Sequence, residues 1–119
     1  MNSNEFSATR NEINRFLREF KRIMVQDINE PEFIPREFNF TKMGLDIEMA
    51  RNELLSLTYH HYDRGPTPDH INDGSDIWEF GKPIDDELAY IKLKIKDNHC
   101  KVISFKPSTG PFELPYQNW

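Results

Sequence analysis

Five residues in the second half of this chain could act together on a phosphodiester: Arg64, Glu79, Tyr90, Lys92 and Lys106. RNA can be cut without a metal when its own 2′-hydroxyl is driven against the adjacent phosphate. That reaction needs a proton acceptor, cations to hold the phosphorane charge and an acid for the leaving 5′-oxygen. Glu79 suits the base, Arg64 and Lys106 the charge stabilisers, and Tyr90 or a lysine the acid or a positioning group. The set suffices in kind without being unique to this chemistry. No G-x-S-x-G, no P-loop and no catalytic Cys–His spacing competes with it.

These residues must be positioned by strands. Leu88 to Lys106 reads LAYIKLKIK-DNH-CKVISFK, and its first half alternates strictly. Ala89, Ile91, Leu93 and Ile95 point one way, and Tyr90, Lys92, Lys94 and Lys96 the other, as in a half-buried strand. The second half reads as its hairpin partner. A two-residue turn at Asp97-Asn98 would pair Tyr90 with Phe105 and put Ile103 and Phe105 on the lysine face, because a one-residue slip flips every side chain. A three-residue loop, Asp97-Asn98-His99, pairs Ile91 with Phe105 and Leu93 with Ile103 and keeps the apolar face whole. That register is preferred, and it gathers Tyr90, Lys92, Lys94, Ser104 and Lys106 on the open face. A solvated lysine face is the plain alternative.

Upstream, Ile13, Phe16, Leu17, Phe20, Ile23 and Met24 draw a helical stripe from Ala8 to about Val25, with Ser7 as N-cap. Its other face carries Arg10, Arg15, Arg18, Lys21 and Arg22, which either solubilise the helix or form an RNA or partner surface; Arg18 and Arg22 are the RNA-contacting candidates. Pro31 and Pro35 exclude a helix over Ile28–Phe40, where Glu32–Ile34 reads as a short strand. Gly44 ends a brief turn or short helix, and Asp46 caps a second helix reaching about Leu57, with Ile47, Ala50, Leu54, Leu55 and Leu57 on its buried side. Thr58 to Ser75 reads as a loop, Asp76–Gly81 as a strand, Lys82–Glu87 as a turn, and Phe112–Trp119 as a tail folded over the sheet. Within the loop, Arg64 beside Gly65-Pro66 is placed either as a phosphate clamp or as a surface partner of Asp63 or Asp69. His60, His61 and His70 fit neither a zinc-helix nor a calcium-loop spacing, so neither a metal nor another cofactor is expected.

At 119 residues, with 29% charged and 13% aromatic side chains, the composition is that of one globular domain rather than a disordered chain. The expected organisation is a disordered start at 1–8 and a single domain over 9–119. The architecture is α+β, with N-terminal helices on a small antiparallel sheet. No apolar run approaches the roughly 20 residues of a membrane span, no signal-peptide core opens the chain, and a cytoplasmic location follows as the default. Cys100, the only cysteine, excludes an internal disulfide and reads as a small packing residue. Formal charge is −5 overall but uneven: five bases and three acids over 1–26, five and fifteen over 27–87, five and two over 88–119. The two ends could thus frame a basic surface while the middle faces away or meets a basic partner.

The segments Met43-Gly44-Leu45, Leu54-Leu55-Ser56-Leu57-Thr58, Tyr62-Asp63-Arg64-Gly65-Pro66, Trp78-Glu79-Phe80-Gly81, Ala89-Tyr90-Ile91-Lys92-Leu93 and Val102-Ile103-Ser104-Phe105-Lys106 resemble, in this order, the MqsR family of bacterial toxins. The closing Phe112-Glu113-Leu114-Pro115-Tyr116 resembles the tail of its longer branch, which carries the Gly-Pro loop. The resemblance spans roughly residues 43–116. It implies a RelE-like α+β fold, a metal-independent mRNA endoribonuclease of a type II toxin-antitoxin system, and a cognate antitoxin as partner. It also implies site residues: Arg64 stands where the family has a lysine, and Glu79 where it has a glutamine. Tyr90 and Lys106 match its tyrosine and lysine. The Glu79 substitution alters the chemistry, either strengthening the base or repelling the RNA backbone. A catalytically inactive RNA- or protein-binding module of the same fold is the alternative.

Overall fold

The computed structural model describes residues 7–26, 32–33 and 40–118. Helix α1 spans Arg10–Gln26, and all six residues of the apolar stripe are buried along it. Its cap is Thr9 rather than Ser7. The Thr9 hydroxyl accepts from the Glu12 amide at 3.1 Å, while the Glu12 carboxylate accepts from the Thr9 amide at 2.9 Å. This reciprocal Thr-x-x-Glu box satisfies two donors that a helix start otherwise leaves open. The expected disordered start falls on residues 1–6, outside the described residues, and on Ser7 and Ala8. Ala8 is 5% exposed, its amide donating to the Tyr62 hydroxyl and its carbonyl accepting from the Tyr116 hydroxyl.

Strand β1 is Glu32–Phe33, and α2 is Ile47–Leu55, capped by Asp46 as its sequence indicates through a 2.8 Å bond from the Met49 amide. Ala50 and Leu54 enter the core, but Ile47 is 49% exposed. The carbonyls around the end of α2 are met by lysines from other elements. Lys82 donates to the Glu53 carbonyl at 3.1 Å and pairs with the Glu53 carboxylate at 2.6 Å, and Lys21 donates to the Leu57 carbonyl at 2.5 Å. These charges answer the negative end of the helix dipole.

The sheet is ordered β1-β5-β4-β3-β2, with β2 Tyr62–Pro68, β3 Asp76–Ile84, β4 Glu87–Lys96 and β5 His99–Pro107. Only the β1–β5 pairing is parallel. The architecture is α+β, with the helices preceding the antiparallel strands. Two boundaries differ from the sequence reading. The segment taken as a loop contains β2; Pro66 and Pro68 fit there because β2 is an edge strand, broken by two register shifts. The segment taken as a turn continues β3 through Ile84, and Asp85 (φ 55°) makes the reversal.

The β4–β5 hairpin combines both candidate registers. Asp97 and Asn98, with φ of 52° and 60°, form a two-residue turn closed by Lys96 opposite His99. Near the turn Leu93 therefore faces Val102, not Ile103. A β-bulge at Ile103 then inserts one residue, so that Lys92 faces Ser104, Ile91 faces Phe105 and Tyr90 faces Lys106. The apolar face stays whole by this insertion rather than by a longer loop. Trp78, Phe80, Ile91, Leu93, Val102 and Phe105 are buried against α1, where Phe16 stacks on Trp78 at 4.7 Å. Cys100 packs here too, its thiol 3.1 Å from the Phe20 carbonyl. Each fully buried large apolar side chain contributes about 1.5–3 kcal/mol.

Candidate active site

The sheet face opposite α1 carries the polar candidates. Strand pairing lays Arg64, Glu79, Lys92 and Ser104 in one row across β2, β3, β4 and β5. The neighbouring row is Gly81, Tyr90 and Lys106. Side chains directly opposite share a face, and diagonal neighbours lie within reach of long ones. Tyr90 uses that diagonal: its hydroxyl donates to Glu79 Oε1 at 2.6 Å. Burial, then the hydrogen bond to Glu79 and its charge, holds the phenol well above its ordinary pKa, so it stays protonated. The Lys106 ammonium sits 5.9 Å from the centre of the Tyr90 ring.

Arg64, Glu79, Tyr90 and Lys106 thereby line one pocket of about 250 Å³, closed on its far side by Ser108–Phe112. Arg64 is half-exposed and its Nε lies 3.3 Å from Asp63 Oδ2. Burial works against its charge, but the carboxylates of Asp63 and Glu79 outweigh it and raise the guanidinium pKa further. The two readings of Arg64 are therefore compatible: it pairs with Asp63 and still faces the pocket.

The remaining sequence candidates are placed elsewhere. Lys94 is 4% exposed, its ammonium 2.8 Å from Asp69 Oδ2 and 3.6 Å from Asp73 Oδ1, so it is no part of an open cationic face. Ser104 is also 4% exposed and offers no surface to a polyanion. Lys92 is half-buried in the Glu79 row and lies beside the pocket rather than in its lining. Arg18 and Arg22 project from α1, on the other side of the sheet. Arg22 is held by Glu19 and by Gln26 at 2.7 Å, and Arg18 borders a separate groove with Lys21, Tyr59 and His60.

Asp63 and the 108–112 strap were not among the sequence candidates. Asp63 is 2% exposed, and its Oδ1 accepts from the amides of Glu113 at 2.6 Å and Leu114 at 3.2 Å, which pins the strap beside Arg64. The signal for the strap was Gly81: a Cβ there would meet Phe112 at 2.9 Å, so the ring rests directly on the sheet backbone. Of the histidines, His61 accepts at Nδ1 from the Thr58 amide, and His60 Nδ1 lies 2.8 Å from the Tyr116 carbonyl. Among the described residues no group of three or more His, Cys, Asp or Glu is placed to hold a metal, and no helix is long and apolar enough to cross a membrane. The chain matches no family, no curated protein and no solved structure at a significant level.

Proposed function

We propose that this chain is an mRNA endoribonuclease toxin acting in the cytoplasm, without a metal, and restrained by a cognate antitoxin. The observation that carries the reading is the meeting of Arg64, Glu79, Tyr90 and Lys106 around one pocket. In the reaction Glu79 takes the proton of the RNA 2′-hydroxyl, and the 2′-oxygen attacks phosphorus as the bond to the 5′-oxygen breaks. Arg64 and Lys106 hold the charge on the phosphoryl oxygens, and Lys106 returns a proton to the departing 5′-oxygen. Tyr90, whose proton is directed at Glu79, keeps that carboxylate oriented. The products are a 2′,3′-cyclic phosphate and a free 5′-hydroxyl. A RelE-like lineage, and the MqsR family within it, accords with these residues and their order.

Tightly induced expression and a cleavage assay in EDTA test the reading. Wild type should arrest growth and cut RNA to cyclic-phosphate ends, whereas Lys106→Ala should do neither. Intact mRNA and unimpaired growth with both proteins would end the nuclease reading. The carboxylates of Asp63 and Glu79 beside the two cations favour one alternative, a module that holds RNA or a protein without cutting. RNA binding that weakens steeply with salt, without cleavage, would select the RNA-holding form of that alternative.

A further inference from the structure

The pocket has a chemical asymmetry that the proposed cleavage leaves unused. Its floor is polar and charged, but the wall built by Ser108–Phe112 ends in an aromatic ring. Phe112 is half-buried and lies on the Gly81 backbone, its ring 6.2 Å from that of Tyr90 and inclined by 35°. The strap is held at both ends. The Ser108 amide donates to the Leu88 carbonyl at 2.8 Å, the Ser108 hydroxyl donates to the Gly110 carbonyl at 2.9 Å, and Asp63 holds the Glu113 and Leu114 amides. A pre-positioned ring beside two cations is what a nucleotide needs, since its base stacks on an aromatic face while its phosphate meets ammonium or guanidinium groups. At about 250 Å³ the cavity is at or below the small end of ligand pockets, a size for one nucleotide unit rather than a run of several.

We infer that residues 108–112 form the nucleotide-holding wall of this pocket, with Phe112 stacking the base whose 3′-phosphate meets Lys106 and Arg64. The inference rests on the reading of the pocket as an RNA site, and it adds a specificity element that does no chemistry itself. Because Phe112 gives only a π-face, it accepts any base with graded strength. Any finer preference falls to the polar groups of the strap.

Calorimetric titration of the whole protein with adenosine 3′-monophosphate, and separately with inorganic phosphate, tests it. Phe112→Ala should weaken nucleotide binding about 10-fold, within the range for loss of one base stack, and leave phosphate binding unchanged. Phe112→Trp should retain or strengthen nucleotide binding. Phe112→Leu preserves the packing on Gly81 but removes the stacking face, so it should behave as Phe112→Ala and excludes a folding artefact. Equal nucleotide affinity in wild type, Phe112→Ala and Phe112→Leu would overturn the assignment, as would no nucleotide binding by wild type. RNA cleavage with Phe112-independent nucleotide affinity would remove the strap's role and keep the nuclease. Phe112-dependent nucleotide binding without cleavage would do the reverse.

Discussion

The two ends of the open sheet face start from the same pattern and reach opposite outcomes. At the turn end, the segment after β2 folds over β4 and brings Asp69 and Asp73 onto Lys94 and Lys96. At the other end, the 108–112 strap crosses the sheet carrying backbone, small polar residues and Phe112, and it leaves Arg64 and Lys106 facing a cavity. Alternating lysines in a strand therefore do not define a polyanion surface by themselves. What differs is the charge of the segment that covers them: an acidic cover turns a lysine into a structural tie, and a neutral one leaves it lining a cavity.

The sharpest way to break this comparison is to delete one lysine at each end. Lys106→Ala should lower RNA cleavage at least 100-fold, the usual effect of removing one charge stabiliser, with little change in melting temperature. Lys94→Ala should do the converse. Leaving the carboxylate of Asp69 buried without its cation should lower the melting temperature by more than about 5 °C and leave the pocket intact, as paired thermal scans and cleavage assays would show. If both variants lose activity at unchanged stability, the two ends do not differ as described.

Smaller effects sharpen the contrast. Tyr90→Phe removes the donor that orients Glu79 and should slow cleavage roughly 10-fold without changing the product ends. The ends also differ in their response to acid. Hydrogen bonds from Lys94 and then Asn72 hold the Asp69 pKa at about 2, and those from Lys96 and Ser75 hold Asp73 low as well. A depressed carboxylate stabilises above its unfolded value of about 3.9 and loses that contribution as pH falls through the folded value. Hydrogen exchange should accordingly report loosening of the 69–75 segment between about pH 4 and pH 2. His61 acts at milder acidity. Burial first, then the charges of Lys82, His60 and Lys21, lowers its pKa to about 4. A base with a depressed folded pKa stabilises the fold above its unfolded value of about 6.5 and progressively less toward 4. Replacing His61 with Gln should flatten that part of the stability profile.

Much of this was legible wherever the pattern is local. The α1 stripe, the Asp46 cap and the alternation of β4 depend on residues within one turn or one strand of each other, and each appears where its spacing indicates. Tyr90 faces Lys106 as the intact apolar face requires, but through the Ile103 bulge rather than through the loop length that sequence indicates. The structure hid more where long-range folding overrides composition. Prolines and a glycine made β2 read as a loop, although an edge strand tolerates missing donors on its open side. Lys94 read as exposed because nothing in β4 announces the acidic loop that folds onto it. The Thr9-x-x-Glu12 capping box is local as well, and it places the helix start two residues beyond Ser7.

The bulge at Ile103 has a consequence for how the protein tolerates change. Side-chain facing along a strand is a parity, odd or even, and the Asp97-Asn98 turn sets one parity for β5 while the pocket needs the other. Ile103 is the single residue that reverses it. Pairing that absorbed Ile103 into a regular ladder would send Phe105 outward and Lys106 toward the core. Loss of Ile103 would remove the extra residue and the bulge together, and so keep Lys92 opposite Ser104, Ile91 opposite Phe105 and Tyr90 opposite Lys106. Such a protein should therefore accept loss of residue 103 more readily than a further residue inserted between Asn98 and Lys106, which would reverse the parity again.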